Sequence, residues 1–527
     1  MPKHKTSSIL ITSCASIIRN LGGILTQGVT AFFLTPADYG SYAIVLGIMN
    51  FTTILRGGGT GVVFQTMKLE EFSSIGGGLV RVALGCGILG TIFTIAMILP
   101  AEFLYPHDST KGLGWILFWS SIGFLTFNGS TYPRAKVFSR LMFNQIALMD
   151  VASSLGKLAT AYYFAANGFG ALSLVFAQIS NNLIILIWSI SVGEMSHLDF
   201  KKSPQWIPET FIILRIPIII ALITSLGNQT DLLFSSFFIP VGALGMYLFI
   251  NQMASQPILM LSSTLQAVLA PYAARVRGNI EQEDLSIRQT FLTGLIFVPL
   301  FVMGVAAVYP SLAHLLFGEK WSASIIPVQL SCIFLIFPTV QSLLEAPLMG
   351  ARRWKITLEL FKGRMFAKIL GTALSLCLIF ASQFILPIPV DYYAFTLIVG
   401  VGAVSSIIAF FQIKKVSNQI HISRITFRYE MYSTPAYSIL AAIATASLAK
   451  SIVDLVGFLN MSIRTEALLE LIFCMITYGG VCVVLLRFGY VDNLNTVLQL
   501  LPNNPRRLIY KVLFLEERSA SLFQRGS

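Results

Sequence analysis

Charge is what this 527-residue chain has least of. Only 11% of its residues are Asp, Glu, Lys or Arg, against about 25% in soluble proteins. Histidine is nearly as scarce, and the five present (His4, His107, His197, His314, His421) are scattered, so no pair has metal-ligand spacing. The six cysteines (Cys14, Cys86, Cys332, Cys377, Cys474, Cys482) lie in apolar segments without Cys-x-x-Cys spacing. They read as small packing residues and say nothing about redox compartment. Two glycine runs, Gly57-Gly58-Gly59-Thr60-Gly61 and Gly76-Gly77-Gly78, lack the Gly-Lys-Ser/Thr ending and the preceding strand of a phosphate-cradling loop. No nucleophile elbow and no cluster of acids with histidine is found. No catalytic residue is assigned, and an enzyme is not expected.

Long hydrophobic runs, by contrast, recur from end to end, and 55% of residues are hydrophobic. About 20 apolar residues cross a bilayer. Fourteen spans are expected, at 8–34, 40–66, 78–99, 112–129, 141–165, 168–192, 208–236, 242–269, 288–309, 324–346, 363–386, 391–412, 434–456 and 465–487. The fold class is therefore all-α and polytopic. Met1-Pro2-Lys3-His4-Lys5 is basic, but the apolar segment after it is too long for a signal-peptide core, so it reads as a retained first span.

The net charge of +12 is spread rather than clustered. With an inside N-terminus, twenty-eight of the 36 Lys and Arg fall in inside connections, Arg134 and Lys368 among them. Four fall outside and four in the interior of spans, cations near a span end being counted with the connection beside it. This is the asymmetry of a multi-pass protein with both termini cytoplasmic, and it argues against nucleic acid as a partner. The longest outside connection, about 309–324, leaves no room for an extracytoplasmic catalytic domain.

Pro36-Ala37-Asp38-Tyr39-Gly40-Ser41-Tyr42 is echoed by Pro240-Val241-Gly242-Ala243-Leu244-Gly245-Met246-Tyr247, each placing Gly-x-Tyr at the opening of a helix. A looser echo links Pro133-Arg134-Ala135-Lys136 with Gly350-Ala351-Arg352-Arg353-Trp354-Lys355. Six spans separate each pair. The expected organisation is two parallel six-helix lobes, 8–192 and 208–412, with substrate between them. Two additional helices at 434–487 and a basic tail at 488–527 follow; the tail reads as an inner-leaflet amphipathic helix or as a disordered segment.

The four intramembrane cations, Arg19, Arg56, Lys157 and Arg215, are expensive and so carry the functional reading. Arg19 shares a helical stripe with Ser16, Asn20, Gln27 and Thr30, and Arg56 with Asn50, Thr53 and Thr60. Asn251 heads a polar stripe on the eighth span. Against these cations stand two acids, Asp150 and Asp231. A cationic groove wants an anion, and arginine suits a phosphate or diphosphate. The structural alternatives are arginines bonded to neighbouring carbonyls, a Lys157–Asp150 pair one heptad apart, and Arg215 snorkelling inward.

With these residues assembled, the chain resembles the polysaccharide-export branch of the MOP superfamily, the Wzx-type lipid-linked oligosaccharide flippases. The likeness is carried by Arg19-Asn20-Leu21-Gly22, Leu34-Thr35-Pro36-Ala37-Asp38-Tyr39-Gly40-Ser41-Tyr42, Gly168-Phe169-Gly170-Ala171-Leu172, Gly245-Met246-Tyr247 and Phe317-Gly318-Glu319-Lys320-Trp321, over roughly 8–415. The resemblance implies two lobes opening alternately, and movement of an undecaprenyl-diphosphate-linked oligosaccharide to the outer leaflet of a bacterial cytoplasmic membrane. It also implies diphosphate binding by Arg19, Arg56 and Arg215, and work alongside a polysaccharide polymerase and export machinery. Related lipid II flippases carry an acid beside the first-helix arginine. This chain has Asn20 there, which leaves Asp150 and Asp231 as proton- or sodium-coupling candidates; no other cofactor is implied. The glycan (O-antigen, other lipopolysaccharide or exopolysaccharide) stays open. The competing functions are a multidrug/cation antiporter of the same superfamily and a membrane polysaccharide polymerase or ligase.

Overall fold

A computed structural model describes residues 3–51, 60, 76–105, 112–140, 142–193, 206–275, 280–317, 319–350, 353–385, 389–419, 424–456 and 463–489. Arg56, the glycine run after it and 490–527 lie outside the described residues, as does the Asn50 side chain. Fourteen long helices are described, one on each expected span. They are α1 (Lys3–Phe33), α2 (Pro36–Phe51), α3 (Gly76–Ala96), α5 (Leu113–Ser139), α6 (Phe143–Ala166), α7 (Leu172–Gly193), α8 (Trp206–Ser235), α9 (Val241–Arg275), α10 (Ile280–Leu316), α11 (Ile325–Gly350), α12 (Trp354–Ile385), α13 (Tyr393–Gln419), α14 (Arg424–Val456) and α15 (Ile463–Gly489), with a short α4 (Ile98–Leu104) after α3. No strand occurs among the described residues. Several helices begin before their apolar run, α12 at Trp354 and α14 at Arg424. The amphipathic first turns carry the charges that the hydrophobic core of the span cannot.

Among the described residues, seven helical stretches are long and apolar enough to cross a membrane on length and composition alone. The surface agrees. Large apolar side chains such as Leu89, Ile92, Leu440, Ile443 and Ile476 are exposed, while Asp150, Ser153, Asp231 and Ser375 are buried. This inverts the soluble pattern, as lipid requires. Thr26 and Thr30 return their hydroxyls to carbonyls four residues back, at 2.7 and 2.9 Å.

The hinge between α1 and α2 is a reciprocal cap. The Asp38 N–H donates to Thr35 Oγ1 at 3.2 Å, and the Thr35 N–H donates to Asp38 Oδ2 at 2.8 Å. Pro36 occupies the first helical position, where its missing N–H costs nothing. Gly170, in the α6–α7 turn, has φ +53, and a Cβ there would fall 2.7 Å from Asp38 Oδ1. The turn therefore needs glycine for its backbone and for its neighbour.

The helices form two compact units, Met1–Thr264 with Lys355–Ala409, and Leu265–Trp354 with Phe410–Ser527. In the first, α1 lies along α6, α6 and α5 both pack on α7, α3 on α5, and α2 on α8. The two echoing motifs meet within it. A Cβ at Gly40 would collide with the Val241 carbonyl, and one at Gly245 with the Pro36 carbonyl. The openings of α2 and α9 thus touch backbone to backbone, with Tyr39 edge-on to Phe249 at 5.6 Å.

In the second unit, α10 is the spine against which α11, α14 and α15 pack, so the additional helix pair is anchored there. Tyr478 donates to the Leu300 carbonyl at 2.6 Å. Pro310 lies inside α10 and cannot donate to the carbonyl of Ala306. Gln329 Nε2 does so instead, at 3.0 Å from α11. Gln329→Leu strands that carbonyl and is expected to cost about 1–3 kcal/mol, read as a lower melting temperature of the purified protein.

Candidate functional site

Packing of α1 on α6 sets the level of the first charged cluster. Gly22 is pressed against Ser154, whose hydroxyl a Cβ at Gly22 would overrun. That contact leaves Arg19, one turn below, facing Asp150, one turn below Ser154. Arg19 Nη1 donates to Asp150 Oδ2 at 3.0 Å, and Arg134 Nη2, from α5, donates to Oδ1 at 3.0 Å. One carboxylate therefore bridges two guanidiniums from two different helices. The Asp150 side chain is 4% exposed, whereas those of Arg19 and Arg134 are 32% and 30% exposed. A buried carboxylate needs such partners, and charge-assisted bonds of this length are the strong ones.

Lys157 stands seven residues further along α6, on the same face, about 10 Å away at 1.5 Å rise per residue. It is half-buried and has no ion-pair partner among the described residues. The Lys157–Asp150 pair considered from spacing is not formed; each Asp150 oxygen is held by an arginine instead. Among these four described side chains, three cations stand against one acid.

A second cluster joins α8, α9 and α12. Asp231 is 1% exposed, and its Oδ2 accepts from the Tyr247 hydroxyl and from Lys368 Nζ, the latter at 2.7 Å. Its Oδ1 has no hydrogen-bond partner among the described residues. Gly227 brings α8 and α12 together here, since a Cβ at Gly227 would sit 3.2 Å from the Met365 Cα.

The remaining sequence candidates are dispersed. Gln27 is buried at the α1–α2 hairpin, where its Oε1 accepts from the Tyr39 hydroxyl at 3.3 Å, while that hydroxyl also pairs with Thr30 at 2.7 Å. Arg215 is exposed on α8 and Asn251 is half-buried on α9.

Three residues escaped the reading from sequence: Arg134, Lys368 and Tyr247. Arg134 and Lys368 had been counted with the inside connections. The helices place them otherwise, because α5 continues to Ser139 and Lys368 lies fourteen residues into α12. The missed signal was that Lys368 falls inside its own expected span.

The sequence profile of the family described as Polysaccharide biosynthesis protein matches residues 29–326, more than half of the chain. The chain belongs to this family. No curated protein gives a significant match to this chain. Among solved structures, the lipid II flippase MurJ in an inward closed conformation aligns with a TM-score of 0.65 and 11% identity, covering 91% of this chain and 99% of that one. An inward-facing multidrug resistance MATE family transporter of the MOP superfamily gives 0.53 and 15%, covering 78% and 98%. The eukaryotic MATE transporter AtDTX14 gives 0.51 and 13%, covering 82% and 99%. At these identities the likeness is one of fold. The chain is a polytopic membrane protein, all-α among its described residues as expected, and it shares its fold with MurJ and the MATE transporters.

Proposed function

We propose that this protein is an alternating-access flippase that carries a lipid-diphosphate-linked oligosaccharide from the cytoplasmic to the outer leaflet for surface polysaccharide export. The observation that carries the reading is the cation excess around Arg19. A basic cluster held in membrane helices is stable only with an anion or water to face, and guanidiniums match phosphate oxygens in pairs. Membership of a polysaccharide biosynthesis family and a fold shared with a lipid II flippase support the same substrate class. The bacterial cytoplasmic membrane, cytoplasmic termini, two alternating lobes and a polymerase partner belong to this proposal. Arg56, Arg215, Asn251 and Asn50 are assigned to the same substrate path, and Gln27 to its wall.

Arg19→Ala is expected to lower surface polysaccharide at least tenfold, with unchanged amounts of membrane-inserted protein and with complete lipid-linked repeat units accumulating inside. Normal export by this variant overturns the reading.

A multidrug antiporter is the second reading, favoured by the likeness to MATE transporters. A cation carrier wants an acid available to its cargo, and here Asp150 and Asp231 are both engaged by basic side chains. Raised drug susceptibility of a deletion strain, with normal surface polysaccharide, would decide for it.

A further inference from the structure

Asp150 raises a question that the proposed function leaves unanswered: why a site built for an anion already contains one. Each of its oxygens holds one guanidinium, Arg19 from α1 and Arg134 from α5. This is the bridging geometry that the non-bridging oxygens of a diphosphate would also adopt. Exposure differs sharply along the cluster. The two arginines are about one-third exposed and the carboxylate is nearly sealed. A ligand arriving from the exposed side meets the guanidiniums first and the acid behind them.

Charge points the same way. Among these four described side chains, Arg19, Arg134 and Lys157 are cations and Asp150 is the one acid, and a diphosphate esterified at both ends carries two negative charges. The acid also offsets the repulsion between the Arg19 and Arg134 guanidiniums that it bridges.

On the diphosphate-transport reading, we infer that Asp150 is a resident counter-ion that holds Arg19 and Arg134 in place as the two guanidiniums of the diphosphate site, and that the incoming diphosphate takes over N–H groups now held by the carboxylate. Arg134 thereby becomes a binding residue and Asp150 a positioning residue, rather than the ion-coupling group considered from sequence. Release then has a built-in competitor, because the carboxylate reclaims the arginines as the diphosphate departs.

The test titrates farnesyl diphosphate, with farnesol as the phosphate-free probe, into full-length detergent-purified protein by calorimetry. Arg19→Gln and Arg134→Gln are each expected to weaken farnesyl diphosphate binding about tenfold. Asp150→Asn is expected to tighten it about tenfold, with farnesol unchanged throughout. If Arg19→Gln weakens binding but a folded Asp150→Asn protein binds no tighter, or Arg134→Gln binds as wild type, the counter-ion inference fails alone. If wild type does not prefer farnesyl diphosphate to farnesol, the diphosphate reading fails with it. Should Asp150→Asn not fold, Arg134→Gln decides, since it leaves Asp150 paired with Arg19.

Discussion

Gly245→Leu is expected to leave almost no folded protein in the membrane. The atoms that a Cβ at Gly245 would strike are backbone, the Pro36 carbonyl and the Gly40 nitrogen, so no side chain can swing aside. The helices would have to part, and the facing contacts would go with them. A Cβ at Gly47 would already lie 3.2 Å from the Leu233 Cα, and Tyr39 packs edge-on to Phe249. Forced overpacking of one site costs about 1–3 kcal/mol or more, and several contacts are lost at once here. Small residues at such crossings are what let membrane helices approach.

Gly242, three residues earlier on the same helix, is the internal control, because a Cβ there meets nothing within 4 Å. Gly242→Ala should therefore be neutral or slightly stabilising, as helix propensity favours alanine by about 1 kcal/mol. Gly245→Ala should lower the melting temperature clearly. Membrane yield and size-exclusion profile report the leucine variant, and equal behaviour of the two alanine variants would contradict the backbone crossing.

Lys368→Met is expected to destabilise the protein by about 3–5 kcal/mol, the range for removing one partner of a buried ion pair. The substitution keeps the length of the side chain and removes its charge. Among the described residues, Asp231 would then keep the Tyr247 hydroxyl as its one partner, at 1% exposure and with its other oxygen lacking a hydrogen bond. The loss should be recovered in large part by Asp231→Asn in the same chain, because the uncompensated charge, and not the missing contact, carries most of the cost. Thermal unfolding of the two single variants and the double variant measures this directly. Additive losses in the double variant would show that the pair contributes as two independent residues.

Sequence alone was a good guide wherever one segment decides the outcome. Each apolar run carries one long helix among the described residues, and Thr35-Pro36-Ala37-Asp38 became a cap, since every atom involved lies within four residues. The pairing of the motifs around Gly40 and Gly245 was legible as an echo, though not as a contact. The charged clusters were harder. Arg19 was singled out, but its partner is 131 positions away, and nothing local marks Asp150 as belonging to Arg19 and Arg134 instead of Lys157. Lys368 was obscured by the charge-counting argument itself, which treats a cation near a span end as a marker of sidedness. A cation can also be a partner to an acid on another helix. Only the packing of α8 on α12 at Gly227 distinguishes the two.

The separation between Arg19 and Asp150 has a consequence in time. A ribosome adding about 5–20 residues per second needs roughly 7–26 seconds to make the 131 residues between them. Throughout that interval α1 carries a guanidinium whose carboxylate is still unmade. α1 is thus electrically settled only when α6 arrives.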